Sequence, residues 1–143
     1  MNIQLIYEAP AAQDYVSLRL RSGMGEKNLD RSRIALEHSL FTACLYDGGT
    51  LIGFGRIVGD GGITYVVSDI MVDKDYRRRG FAEQIMKAID AYLDAHAHED
   101  SYICLIANRP ADLLYVKHHF EYLPDHKCGM LRAQIKEKDH GKP

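Results

Sequence analysis

Residues 66–93, VVSDIMVDKDYRRRGFAEQIMKAIDAYL, leave this chain few ways to fold. Val66, Val67, Ile70, Met71 and Val72 make a nearly unbroken apolar run, as expected of a strand covered on both faces; Asp69 interrupts it. Downstream, Phe81, Ile85, Ile89, Tyr92 and Leu93 recur at helical spacing, with Met86 beside them. Glu83, Lys87, Asp90 and Asp94 fall outside that stripe, so the segment reads as an amphipathic helix. At the corner between the two stand Arg77, Arg78, Arg79, Gly80, Phe81 and Ala82. The first N–H groups of a helix have no partner inside it, and its dipole is positive there. A helix start beside three guanidinium groups is therefore a seat for a phosphate, and a glycine without a Cβ lets the backbone approach the anion.

The chain is long enough, at 143 residues, to bury a core without disulfides, and it reads as one domain over residues 1–143, with a core at about 3–135 and a charged tail at 136–143. A formal charge of −2 argues against general nucleic-acid binding. No apolar run is long enough for a bilayer and no basic-then-apolar leader opens the sequence, so no membrane association is expected and the cytoplasm is the expected compartment. Cys44, Cys104 and Cys128 each sit in a strand-like stretch and read as buried reduced thiols. His96 and His98 would point to different sides of a helix end, and no cluster has metal spacing, so no metal is expected.

Periodicity and turn residues give an order β-α-α-β-β-β-α-β-α-β-β. Strands are expected at 3–7, 40–46, 51–58, 63–72, 102–107, 121–123 and 128–135, and helices at 10–21, 30–38, 80–97 and 111–119. Tyr15, Leu18 and Leu20 are expected to face inward, and Asp30 to cap the second helix. A meander followed by strand–helix–strand crossovers implies an α/β (α+β) fold: a mixed, mostly antiparallel sheet of roughly six to seven strands with helices on both faces.

That order, with Arg77-x-x-Gly80-x-Ala82 after the strand end Ile70-Met71-Val72, resembles the GNAT superfamily of acyl-CoA-dependent N-acyltransferases over residues 3–135. The sequence departs from the usual pattern at Lys74, where many members have proline, and at His119, where many have glycine before the aromatic residue. The resemblance implies acetyl-CoA as cosubstrate and a primary amine as acceptor. Its pyrophosphate would rest on the backbone of Arg78, Arg79, Gly80 and Ala82 and on the Arg77 side chain. Its pantetheine arm would pair with main-chain groups near Ile70, Met71 and Val72 where the fourth and fifth strands splay, like an added strand. Asn108 resembles a residue that bonds this arm, with turn formation before Pro110 as its other role.

Tyr115 resembles the tyrosine that gives a hydrogen bond or proton to the coenzyme sulfur; a phenol titrating near ~10 is an acid at neutral pH. Its alternative is a core aromatic. Asp69 is the first candidate for the base, directly or through a water, because burial would raise its pKa; the alternative is a structural carboxylate. His118 and His119 are second choices. No cysteine has an activating neighbour in sequence, so direct transfer in a ternary complex is expected over an acyl-cysteine route. A non-catalytic acyl-CoA sensor of the same fold is the competing function. The acceptor is not legible, and neither is the oligomeric state, although C-terminal strands in such folds often build dimers, so a homodimer stays open.

Overall fold

The structure, a computed structural model, describes residues 1–136. Its elements follow the sequence closely through the first hundred residues. They are β1 (Ile3–Ile6), α1 (Ala12–Ser22), α2 (Leu29–Glu37), β2 (Phe41–Asp47), β3 (Thr50–Gly59), β4 (Thr64–Val72), one turn of 3₁₀ helix (Lys74–Tyr76), α3 (Phe81–His96), β5 (Tyr102–Cys104) and α4 (Asp112–Val116). The sheet order is β1-β2-β3-β4-β5, antiparallel up to β4 and parallel between β4 and β5.

Alternation along the strands sends side chains to two cores. On one face Leu45, Ile52, Ile57, Tyr65 and Val67 meet Phe81, Ile85, Met86 and Ile89 of α3 and Tyr115 of α4. On the other, Cys44, Leu51, Phe54 and Met71 meet Tyr15 and Leu18 of α1 and Leu36 of α2. Gly55 makes room for α3: a Cβ there would lie 2.6 Å from both Ile70 Cδ1 and Ile85 Cγ2. Such overlap is closer than packed carbon atoms tolerate.

Several local expectations change. Asn28, not Asp30, caps α2, its Oδ1 accepting from the Arg31 N–H at 2.9 Å. The cap must stand before the first helical residue, and the helix starts at Leu29, two residues earlier than a cap at Asp30 requires. Leu20 faces solvent, since it lies off the Tyr15–Leu18 stripe. The strand expected at 102–107 ends at Cys104, and Tyr102 and Ile103 are exposed rather than buried.

The strands expected at 121–123 and 128–135 do not form, so the described residues hold five strands rather than six to seven. Residues 121–136 are exposed throughout, and Cys128 with them, so it is not the buried thiol expected. An alternating sequence becomes a strand only when an edge pairs with it, and among the described residues β5 has no partner on its outer side. The charged tail expected at 136–143 lies beyond the described residues except for Lys136.

Candidate active site

The β4–β5 ladder is short. Thr64, Tyr65 and Val66 pair with Tyr102, Ile103 and Cys104, and there it stops. From Val67 to Val72, β4 continues with no partner on that side among the described residues. Ile70, Met71 and Val72 therefore lie along an open stretch of strand edge, at the mouth of a wedge. An unpaired edge offers its N–H and C=O groups to any extended ligand.

Within this open stretch comes a bulge not foreseen from sequence. Phe54 pairs with Met71 and Arg56 with Ser68, so Gly55 faces two residues, Asp69 and Ile70. Asp69 adopts a left-handed φ of 57° to allow this. A bulge bends its strand and re-aims side chains. The only sequence signal was a carboxylate in an apolar strand; Asp tolerates the left-handed region better than the Val, Ile and Met around it.

The bulge delivers the Asp69 carboxylate to the α1 side. Tyr15 donates its hydroxyl at 2.7 Å, Arg56 its Nε at 2.7 Å, and Arg19 an Nη1 at 3.1 Å. Arg19 is otherwise satisfied by the carbonyls of Met24 and Gly25. Burial pushes the Asp69 carboxyl up, but the Tyr15 and Arg56 hydrogen bonds and the charges of Arg56 and Arg19 outweigh it, and the net shift is downward. The rise expected from burial alone is thus overturned: sequence showed the apolar neighbours and not the two guanidiniums brought in from positions 19 and 56.

Just past the same, C-terminal end of β4 lies the arginine corner. Asp73, buried, caps the 3₁₀ turn and is paired with Arg21 of α1. Arg78 has a left-handed φ of 62° and Gly80 one of 80°. Left-handed residues interleaved with ordinary ones curl successive N–H groups into a concavity that suits anions. A side chain at Gly80 would meet no atom within 4 Å, so its backbone angle, not crowding, is what calls for glycine. The three arginines separate in role. Arg77, expected to bind phosphate, donates to the Ser22 carbonyl at 2.6 Å and ties the corner to α1. Arg79 lies over the Tyr76 ring, and Arg78 is exposed.

Tyr115 is buried in the α3-side core, its ring near Phe120, and burial raises its pKa. Its neighbour His118 is also buried, between Asp90 and Glu83 of α3. Asn108 is exposed, and its carbonyl accepts from the Ala111 N–H at 2.8 Å, as a turn residue would. Cys44 is buried and its thiol is pushed up to about 12 by desolvation. Among the described residues no group of His, Cys, Asp and Glu is placed to hold a metal, and no helix is long and apolar enough to cross a membrane.

A sheet that opens between β4 and β5, a corner with two left-handed residues before α3 and a helix after β5 make up the frame of the fold. The family model for the acetyltransferase (GNAT) domain matches residues 37–122, and the chain belongs to that family. A solved Staphylococcus aureus protein of unknown function, described as a probable acetyltransferase, is 37% identical, with a TM-score of 0.87 over 92% of this chain and 99% of that one. A GNAT-family acetyltransferase from Streptococcus pneumoniae is 26% identical, with a TM-score of 0.74 over 94% of this chain and 99% of that one. Glucosamine-6-phosphate N-acetyltransferase from Arabidopsis thaliana, 10% identical with a TM-score of 0.67 over 93% of this chain and 99% of that one, shares the fold. No curated protein matches the sequence at a significant level.

Proposed function

We propose that the protein is an N-acetyltransferase that moves an acetyl group from acetyl-CoA to a primary amine by direct attack. The observation that carries this reading is the open edge of β4 from Val67 to Val72, running toward a corner with two left-handed residues. Backbone groups near Ile70, Met71 and Val72 would hold the pantetheine arm. The N–H groups of Arg78, Arg79, Gly80 and Ala82 would take the pyrophosphate, with the exposed Arg78 side chain beside them; Arg77 positions the corner through Ser22. Asn108 would meet the arm at the far wall of the wedge.

Acetyl-CoA supplies an activated thioester. Tyr115 does the protein's part at the sulfur. Its raised pKa keeps the phenol protonated, so it can give its proton to the departing thiolate as the C–N bond forms and the C–S bond breaks. The proton released by the amine returns to the phenolate through solvent. Asp69, held by three donors and kept ionised, serves as the anchor of α1 on β4 rather than as the base. Isothermal calorimetry with CoA and thiol release from acetyl-CoA with a panel of primary amines test the reading. Tyr115→Phe is expected to lower kcat about 100-fold with little change in CoA affinity. A chain that binds CoA but releases no thiol with any amine of the panel would be the sensor instead.

The C-terminal arm supports a homodimer. Leu131, Ala133 and Ile135 alternate with Arg132, Gln134 and Lys136, a half-buried strand pattern, yet Leu131 and Ile135 are more than three-quarters exposed. The groove beside β5 is lined by Ile103, Ile106 and Leu123, by Asp94, Glu121 and Lys127, and by the start of the arm itself at Cys128 and Met130. A second copy's arm pairing along the free side of β5 would make a self-complementary exchange. Light scattering after size exclusion should give a dimer that truncation after Lys127 converts to monomer; a monomeric full chain would overturn this.

A further inference from the structure

His118 sits just past α4, a helix of only five residues that carries Tyr115. So short a helix has little stability of its own. Its C-terminal turn is closed by the N–H groups of His118 and Phe120, both donating to the Tyr115 carbonyl, at 2.9 and 3.2 Å. The imidazole then crosses to α3. Nδ1 is 2.5 Å from Asp90 Oδ2, and Nε2 is 2.8 Å from Glu83 Oε1. The second contact is within ion-pair range but off the line of an N–H bond, so Nε2 makes no well-formed hydrogen bond.

Two carboxylate oxygens, one at each ring nitrogen, define which form of histidine fits. A neutral imidazole has one N–H, so its bare nitrogen would face a carboxylate lone pair. Only the imidazolium suits both sides, with a hydrogen bond to Asp90 and an ion-pair contact to Glu83. We propose that His118 is a positioning residue for acyl transfer: as a cation clamped between Asp90 and Glu83, it pins α4 to α3 and so holds the Tyr115 hydroxyl where the thioester sulfur arrives. The inference rests on the acetyltransferase reading for its chemistry, but the clamp itself does not.

The charged neighbours agree. On α3, Lys87 stands between the two carboxylates in sequence, and its charge and that of Lys117, just past α4, both act on Glu83. Asp94, His119 and Glu121 line the same groove beyond them. Around the ring, burial opposes the charge, and the two carboxylates outweigh burial, so the His118 pKa is raised. The clamp is therefore complete below the ordinary histidine range and opens as pH rises through the raised value.

Two readouts test this on the full chain. First, kcat with acetyl-CoA and the best amine of the panel is measured across pH 6–10 for the wild type, His118→Gln and Glu83→Gln. His118→Gln should lower kcat by roughly 10- to 100-fold, the cost of a displaced reacting group, with KM for acetyl-CoA within about twofold. Glu83→Gln should keep activity at low pH and move the basic limb to lower pH, because one carboxylate no longer supports the cation. Second, amide hydrogen exchange of residues 112–120 should rise in His118→Gln at pH 6.5, and in the wild type above the basic limb after correction for the intrinsic rate, with α1 unchanged. An unmoved limb together with unchanged kcat in His118→Gln overturns the positioning role. If the wild type turns over no amine, the acetyltransferase reading fails instead, and exchange alone decides the clamp: unaltered protection sinks it.

Discussion

Two charge clusters, each built around one buried group, lie on opposite faces of the sheet, and they are near mirror images. On the α1 side a single carboxylate, Asp69, is held by two guanidiniums, Arg19 and Arg56. On the α4 side a single imidazole, His118, is held by two carboxylates, Asp90 and Glu83. Each ties a helix-bearing segment to the scaffold: α1 to β4 through Asp69, and the segment after α4 to α3 through His118. They differ in what can titrate. Guanidinium cannot lose its proton in a protein, and Asp69 is already held ionised, so the first cluster keeps its charge across the neutral range. Histidine can lose its proton near neutrality, so the second is conditional. One side of the cleft is fixed and the other responds to its surroundings.

The largest expected effect comes from breaking the fixed side. Asp69→Ala would leave Arg19 and Arg56 facing each other, with side chains 7% and 16% exposed. Removing one partner of a buried ion network costs about 3–5 kcal/mol, because the remaining charges lose their compensation. The urea midpoint should fall accordingly. His118→Gln should move it far less, since glutamine keeps a donor and Glu83, at 39% exposure, can turn to water. Equal losses in the two variants would erase the distinction between the clusters. An Asp69→Asn enzyme sharpens it further: its pH–rate profile should keep the wild-type acidic limb, and a shifted limb would restore the aspartate as base.

These clusters also show where sequence reading stops. The strand, corner and helix at 66–93 were legible because periodicity is local and each glycine marks a break; so were the β2–β3 hairpin at Gly48 and Gly49 and the inward stripe of Tyr15 and Leu18. Asp69 was legible as an oddity. Its partners were not, since Arg19 lies 50 residues away and reached it only through the packing of α1 on β4. His118 was visible only as a histidine near Tyr115; the spacing of Glu83 and Asp90, two turns of α3 apart, placed them on one face, and nothing in the chain said that α4 would land there. The C-terminal residues misled for another reason. Their alternation is genuine, but a strand is a property of a pair, and the partner edge is not supplied by the residues next to them.

The two sides separate most finely under pH. Asp69 has a lowered pKa, so its contribution is present above the ordinary carboxylate range and is lost only as pH falls through the lowered value. His118 has a raised pKa, so its contribution is whole below the ordinary histidine range and fades as pH rises through the raised one. Melting temperatures from pH 5.5 to 9.5 should therefore show a constant gap between the wild type and Asp69→Asn, because neither partner of that cluster titrates in the window. The smaller gap between the wild type and His118→Gln should close with rising pH. Glutamine mimics only the neutral ring, so closure reports the proton and not the shape of the side chain. A gap that stays open at pH 9.5 would mean that His118 holds α4 by packing, and the contrast between a fixed and a titratable wall of the cleft would be lost.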